Sequence, residues 1–185
     1  MNPPDAMALL TRRALLLGAM SAVAIPGRAQ AIALDAPNPV EIGPRLITSG
    51  QPTRQALAGL GRLGVQAVIY LAPSTVPDAV PEEEALLRQQ GIEFVHLPVP
   101  FAAPTAAHAA AVSAALLRLQ DKKVLVHCQV NMRASTMVFL HRVIALRADP
   151  DEAYEAVTRV WSPSGPWRAL VLAQLQAHGV SFTPL

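Results

Sequence analysis

The residues best suited to chemistry lie together in Val124-Leu125-Val126-His127-Cys128-Gln129-Val130-Asn131-Met132-Arg133-Ala134-Ser135-Thr136. An apolar strand delivers Cys128 to the carboxyl edge of a sheet, where open α/β folds bind ligands. The residues that follow (Gln129, Val130, Asn131, Met132 and Ala134 among them) curl into a helix N-terminus. Unbonded amides there suit a phosphate or another small anion, which makes these five the expected substrate-binding positions. The same field favours the thiolate, the nucleophilic form of a cysteine. Arg133 adds a fork that can hold an oxyanion through two hydrogen bonds. His127 is expected to hydrogen-bond around the loop base, and Ser135 or Thr136 to offer the sulfur a hydroxyl. Cys128, Arg133, His127 and Ser135 are therefore the expected catalytic set. The plainer readings are an inert buried cysteine and an ordinary exposed helical arginine. They leave the meeting of both residues at one strand-to-helix junction unexplained.

Other elements must hold this junction. A short strand over 45–48 ends at Ser49-Gly50-Gln51-Pro52, and Thr53 can cap a helix that runs to 63, with Gly64 as its stop. The nearly continuous apolar run 65–72 suits a strand buried on both faces. A helix over 82–88 carries acids in its first turn, where the helix dipole favours them. Then come a strand over 92–98, a helix over 105–119 and the strand 124–127 that leads to Cys128. Helices over 132–147, 149–161 and 166–178 complete the chain, the second opened by the cap and proline Asp149-Pro150. Strands separated by helices predict an α/β fold, a mostly parallel sheet flanked by helices on both faces.

The first thirty-one residues read separately. Arg12-Arg13, the apolar run 14–25 and Ala29-Gln30-Ala31 have the order of an export signal: charge, apolar core and small-residue cut site. The run falls short of the ~20 residues that span a bilayer. The paired arginines suggest the twin-arginine route, with the Sec route as the alternative. The expectation is a signal over 1–31, a domain over 32–185, a periplasmic or secreted location and no stable membrane anchor after cleavage. Taking Arg12, Arg13, Arg28 and Asp5 away from 15 basic and 13 acidic residues leaves a formally neutral domain. No basic stripe marks a nucleic-acid partner. Cys128 is the only cysteine, so no internal disulfide forms. The five histidines show no metal-ligand spacing with acids or cysteine, so neither a metal nor another cofactor is expected.

With its strand and helix, the His-Cys-loop-Arg sequence resembles the protein tyrosine and dual-specificity phosphatases, which work through a phosphocysteine. The resemblance extends upstream through Leu46-Ile47-Thr48-Ser49-Gly50-Gln51-Pro52, Gly64-Val65-Gln66-Ala67-Val68-Ile69-Tyr70-Leu71 and Gly91-Ile92-Glu93-Phe94-Val95-His96-Leu97-Pro98-Val99. These are similar to a compact bacterial phosphatase-like family related to the beta-lactamase-hydrolase-like phosphatases. The resemblance implies a cysteine-phosphatase-like fold and hydrolysis of a phosphate monoester through Cys128.

Two departures keep alternatives open. The phosphatase pattern has five residues between cysteine and arginine, whereas four separate Cys128 from Arg133. Aligned without a gap, Asn131 falls on the usual glycine and Ala134 on the usual arginine. The shorter loop also resembles the rhodanese sulfurtransferases, in which Cys128 would carry a persulfide. The second departure is the loop 100–108, where related phosphatases place an acidic proton donor and this chain has none. That favours a phosphate- or anion-binding module without turnover. His108 and Asp78 are the nearest stand-ins, each more simply read as a solvated surface group. His96 reads as a packed core histidine, His141 and Arg142 as structural, and Trp161 and Trp167 as helix-packing residues.

Overall fold

The computed structural model describes residues 34–184; the expected export signal lies outside them. Five strands form one sheet: β1 (Val40–Gly43), β2 (Leu46–Ser49), β3 (Ala67–Tyr70), β4 (Glu93–His96) and β5 (Val124–His127). Their order is β1-β2-β5-β3-β4. β2, β5, β3 and β4 run parallel, and β1 pairs antiparallel with β2. The strand that leads to Cys128 therefore sits at the centre of the sheet, flanked on both sides by strands whose carboxyl ends lie beside its own. The α/β class is as the sequence predicts. β1 is the addition: the alternation in Val40–Gly43 is only four residues long, and the segment is a strand because it pairs with β2 across a tight turn.

The continuous apolar character of β3 and β5 has the expected cause. Ala67, Ile69, Val124 and Val126 join one core, while Val68 and Leu125 face the other. Successive side chains point to opposite faces, so a strand covered on both sides has no polar register. The first core lies under α3 (Ala106–Arg118), α4 (Met132–Ile144), α5 (Pro150–Thr158) and α6 (Gly165–Ala177). The second lies under α1 (Arg54–Leu57) and α2 (Glu83–Arg88).

Local signals set most helix ends. Thr105 forms a reciprocal box with His108 at the start of α3, a kind of cap that contributes about 1 kcal/mol. Asp149 accepts from the Glu152 amide ahead of Pro150. The single helix expected over 53–63 is instead α1, broken at Ala58-Gly59 and followed by a 3-10 turn over Leu60–Leu63. Leu57 and Leu60, on either side of the break, are both completely buried. α4 ends at Ile144 rather than 147, where Arg147 takes a left-handed turn. Among the described residues no helix is long and apolar enough to cross a membrane.

Candidate active site

Cys128 leaves β5 fully buried, and its amide is bonded to the Ser49 carbonyl at 3.2 Å. Asn131 closes the turn with φ +72°, the left-handed conformation that asparagine tolerates. Its side chain donates to the Asn38 carbonyl at 2.7 Å and to Thr48 Oγ1 at 3.1 Å. α4 begins at the next residue, and among the described residues the amides of Gln129, Val130, Met132, Arg133 and Ala134 make no backbone hydrogen bond. The result is an anion nest at the start of a thirteen-residue helix.

Arg133 leaves the helix one place earlier than the phosphatase pattern has it, yet it is held beside the loop. Its Nε donates to the Val99 carbonyl at 2.9 Å, and an Nη donates to Gln129 Oε1 at 3.4 Å. Phe101 covers the guanidinium at 5.1 Å from the ring centroid. Phe101 in turn packs on Trp161 and Trp167, whose indoles donate to Thr136 Oγ1 and to the Phe101 carbonyl. The tryptophans thus do more than join helices: they hold the loop that clamps Arg133.

Other sequence-predicted residues are placed differently from expectation. The hydroxyls of Ser135 and Thr136 turn back to the Met132 carbonyl, at 3.3 and 2.9 Å, rather than to the sulfur. Hydroxyls in a first helical turn commonly bond a carbonyl three or four residues back. The Ala134 methyl lies in the core, leaving only its amide to a ligand. Val130 is exposed at the lip, and Met132 is half-buried. His96 is not a core residue: it lies on the edge strand β4, exposed, with Nε2 on the Ala72 carbonyl.

Behind the loop lies a network that sequence reading missed. Glu83, 3% exposed, accepts from His127 Nε2 at 2.6 Å and from Gln51 Nε2 at 2.9 Å. The carboxylate has no hydrogen to give, so His127 carries its hydrogen on Nε2. Tyr70 stacks between His127 and His96, with centroids 4.7 and 5.0 Å apart. Burial first, then the charges of Glu83, Asp78 and Cys128, push the Tyr70 phenol up to about 12, with Arg133 pulling it down. The Ser49-Gly50-Gln51 turn is part of the same support. The Gln51 amide donates to the Gln129 carbonyl at 2.9 Å. A Cβ on Gly50 would come within 2.6 Å of that carbonyl oxygen and 2.7 Å of Pro37 Cβ.

Two predictions follow from this support. Glu83→Ala strands two buried donors, each costing about 1–3 kcal/mol, and is expected to lower the urea midpoint accordingly. An unchanged midpoint would mean that water or another acceptor replaces the carboxylate. Gly50→Ala presses on backbone, so the loop itself must shift. The expected result is a stability loss of about 1–3 kcal/mol together with weaker phosphate binding by calorimetry. Unaltered binding would separate this turn from the nest.

The chain is similar to several known proteins. The family described as DSP-PTPase phosphatase fused to NAD+ kinase matches residues 34–166. A beta-lactamase hydrolase-like protein of Xylella fastidiosa (strain Temecula1 / ATCC 700964) is 32% identical over 116 residues, which is 61% of this chain. The chain spans only 27% of the length of that relative. Among solved structures, a DUF442 protein from Shewanella putrefaciens CN-32 is 30% identical. It superposes with a TM-score of 0.70, covering 78% of this chain and 92% of the other. The active form of Tk-PTP, 22% identical with a TM-score of 0.60 over 79% of this chain and 99% of its own, shares the fold.

Proposed function

The chain belongs to the dual-specificity and protein tyrosine phosphatase family, and on that premise we propose that it hydrolyses a phosphate monoester through Cys128. The observation that carries this reading is the position of Arg133. Despite the short spacing, its guanidinium is clamped by Val99 and Phe101 beside the nest and reaches the side chain of Gln129, the first loop residue. A phosphoryl group in the nest would be held by the loop amides and by the fork of Arg133, which is free to exchange Gln129 for a charged acceptor. Cys128 attacks phosphorus and the ester oxygen departs; water then attacks the phosphocysteine, releasing phosphate and the thiolate. Glu83, through His127, fixes the base of the loop so that the amides need not reorganise as charge develops. The order of basic, apolar and small residues over 1–31 supports an exported enzyme.

The test is turnover of an aryl phosphate by the full chain, read beside Cys128→Ser and the intact mass of the protein. Turnover that depends on Cys128 supports the reading. A second reading, phosphate binding without turnover, has one observation in its favour: the loop after β4 carries no carboxylate. Tight binding with no hydrolysis would select it, and a Cys128 heavier by one sulfur would select sulfur transfer.

A further inference from the structure

We propose, on the phosphatase reading above, that Asp78, in the loop after β3, gives the proton to the leaving oxygen. The loop after β4 has no acid to offer: its polar contributions to the site are the Val99 carbonyl on Arg133 and the Phe101 carbonyl on Trp167. His108 is occupied at the start of α3, its Nδ1 bonded to the Thr105 amide at 3.1 Å. Glu83 is buried behind the loop on His127 and Gln51. Asp35 accepts from Thr53 at the α1 cap. The Tyr70 phenol, pushed up to about 12, is too weak an acid to match a reaction near neutral pH. His96 lies two strands away from β5, beyond Tyr70.

Asp78 alone of these carboxylates is both exposed and joined to the nest. Its Oδ1 accepts from Gln129 Nε2 at 2.9 Å, while Gln129 Oε1 accepts from Arg133. Asp78 and Arg133 therefore stand on opposite sides of the first loop residue after the nucleophile. The backbone holds Asp78 there. Val76, Pro77, Asp78 and Ala79 form a turn closed by the Ala79 amide on the Val76 carbonyl at 3.1 Å. Pro77 stiffens the turn. Val76 and Val80 anchor it on either side, one packed against each core.

In the first step the Cys128 sulfur–phosphorus bond forms and the phosphorus–ester oxygen bond breaks. The Asp78 carboxyl proton passes to that oxygen, which leaves as a neutral alcohol or phenol. In the second step the Asp78 carboxylate takes a proton from the attacking water as the sulfur–phosphorus bond breaks, and phosphate departs.

Asp78→Asn isolates this role, because the amide oxygen still accepts from Gln129 and the site is exposed, so folding is not at stake. The measurement is kcat/KM for phenyl phosphate and for dinitrophenyl phosphate, whose leaving groups differ in their need for a proton. The expected loss for phenyl phosphate is about 10²-fold or more, with dinitrophenyl phosphate changed by only a few-fold. Equal losses on both substrates would make Asp78 a support for Gln129 and overturn the proposal, as would no loss on either. If the unaltered protein hydrolyses neither ester, the phosphatase reading itself fails and this role goes with it.

Discussion

Replacing Cys128 with serine is expected to reduce aryl phosphate turnover by about 10⁴-fold or more, the scale on which loss of a covalent nucleophile is felt. The substitution changes one atom at a fully buried position, so the nest and Arg133 keep their geometry. A serine hydroxyl at that point is a far weaker nucleophile than a thiolate. Phosphate should still bind with affinity within a few-fold of the unaltered protein, because the amides that hold it come from Gln129 to Ala134. Loss of turnover with binding preserved identifies Cys128 as the nucleophile. Turnover that survives would remove the phosphocysteine mechanism, and loss of binding too would show that the sulfur helps to shape the nest.

The second large effect belongs to Arg133. Arg133→Lys keeps a positive charge but loses the planar fork, the donor to the Val99 carbonyl and the flat surface beneath Phe101. If the guanidinium holds two phosphoryl oxygens as charge builds up on them, kcat/KM should fall about 10²–10³-fold, the effect of deleting a donor aimed at developing charge. That corresponds to about 3–4 kcal/mol of lost transition-state stabilisation. The phosphocysteine should still form, slowly, and be seen by quenched-flow mass measurement. An unchanged kcat/KM would mean that Arg133 only ties α4 to the β4 loop, and that the short spacing has taken it out of the chemistry.

The placement of these two residues at one strand-to-helix junction was legible in the sequence because it is local. An apolar strand, a cysteine, a turn and a helix start occur within one run of residues, and the backbone rules governing that run need no distant partner. The same holds for the two-faced burial of β3, for the Asp149 cap, and for Asn131 in the place of the usual glycine. Even here, side-chain direction escaped prediction. Ser135 and Thr136 look equally able to reach the sulfur, but their own helix offers a nearer carbonyl at Met132.

What the fold alone decided is which distant residues face the loop. Glu82, Glu83 and Glu84 are indistinguishable as acids in a first helical turn, yet successive helix positions point about 100° apart. Glu82 pairs with Arg54, and Glu84 reaches Arg88 at 3.8 Å on the surface. Glu83 turns inward to His127, forty-four positions away. Asp78 meets Gln129 across fifty-one positions. The strand order that sets β5 between β2 and β3 brings these ends together, and no pattern within one segment encodes that order. A strand, a turn and a helix start that adjoin in the chain are enough to place Cys128 and the loop after it. The contacts of Glu83 with His127 and of Asp78 with Gln129 came only with the fold, because they depend on register and helix rotation rather than on local chemistry.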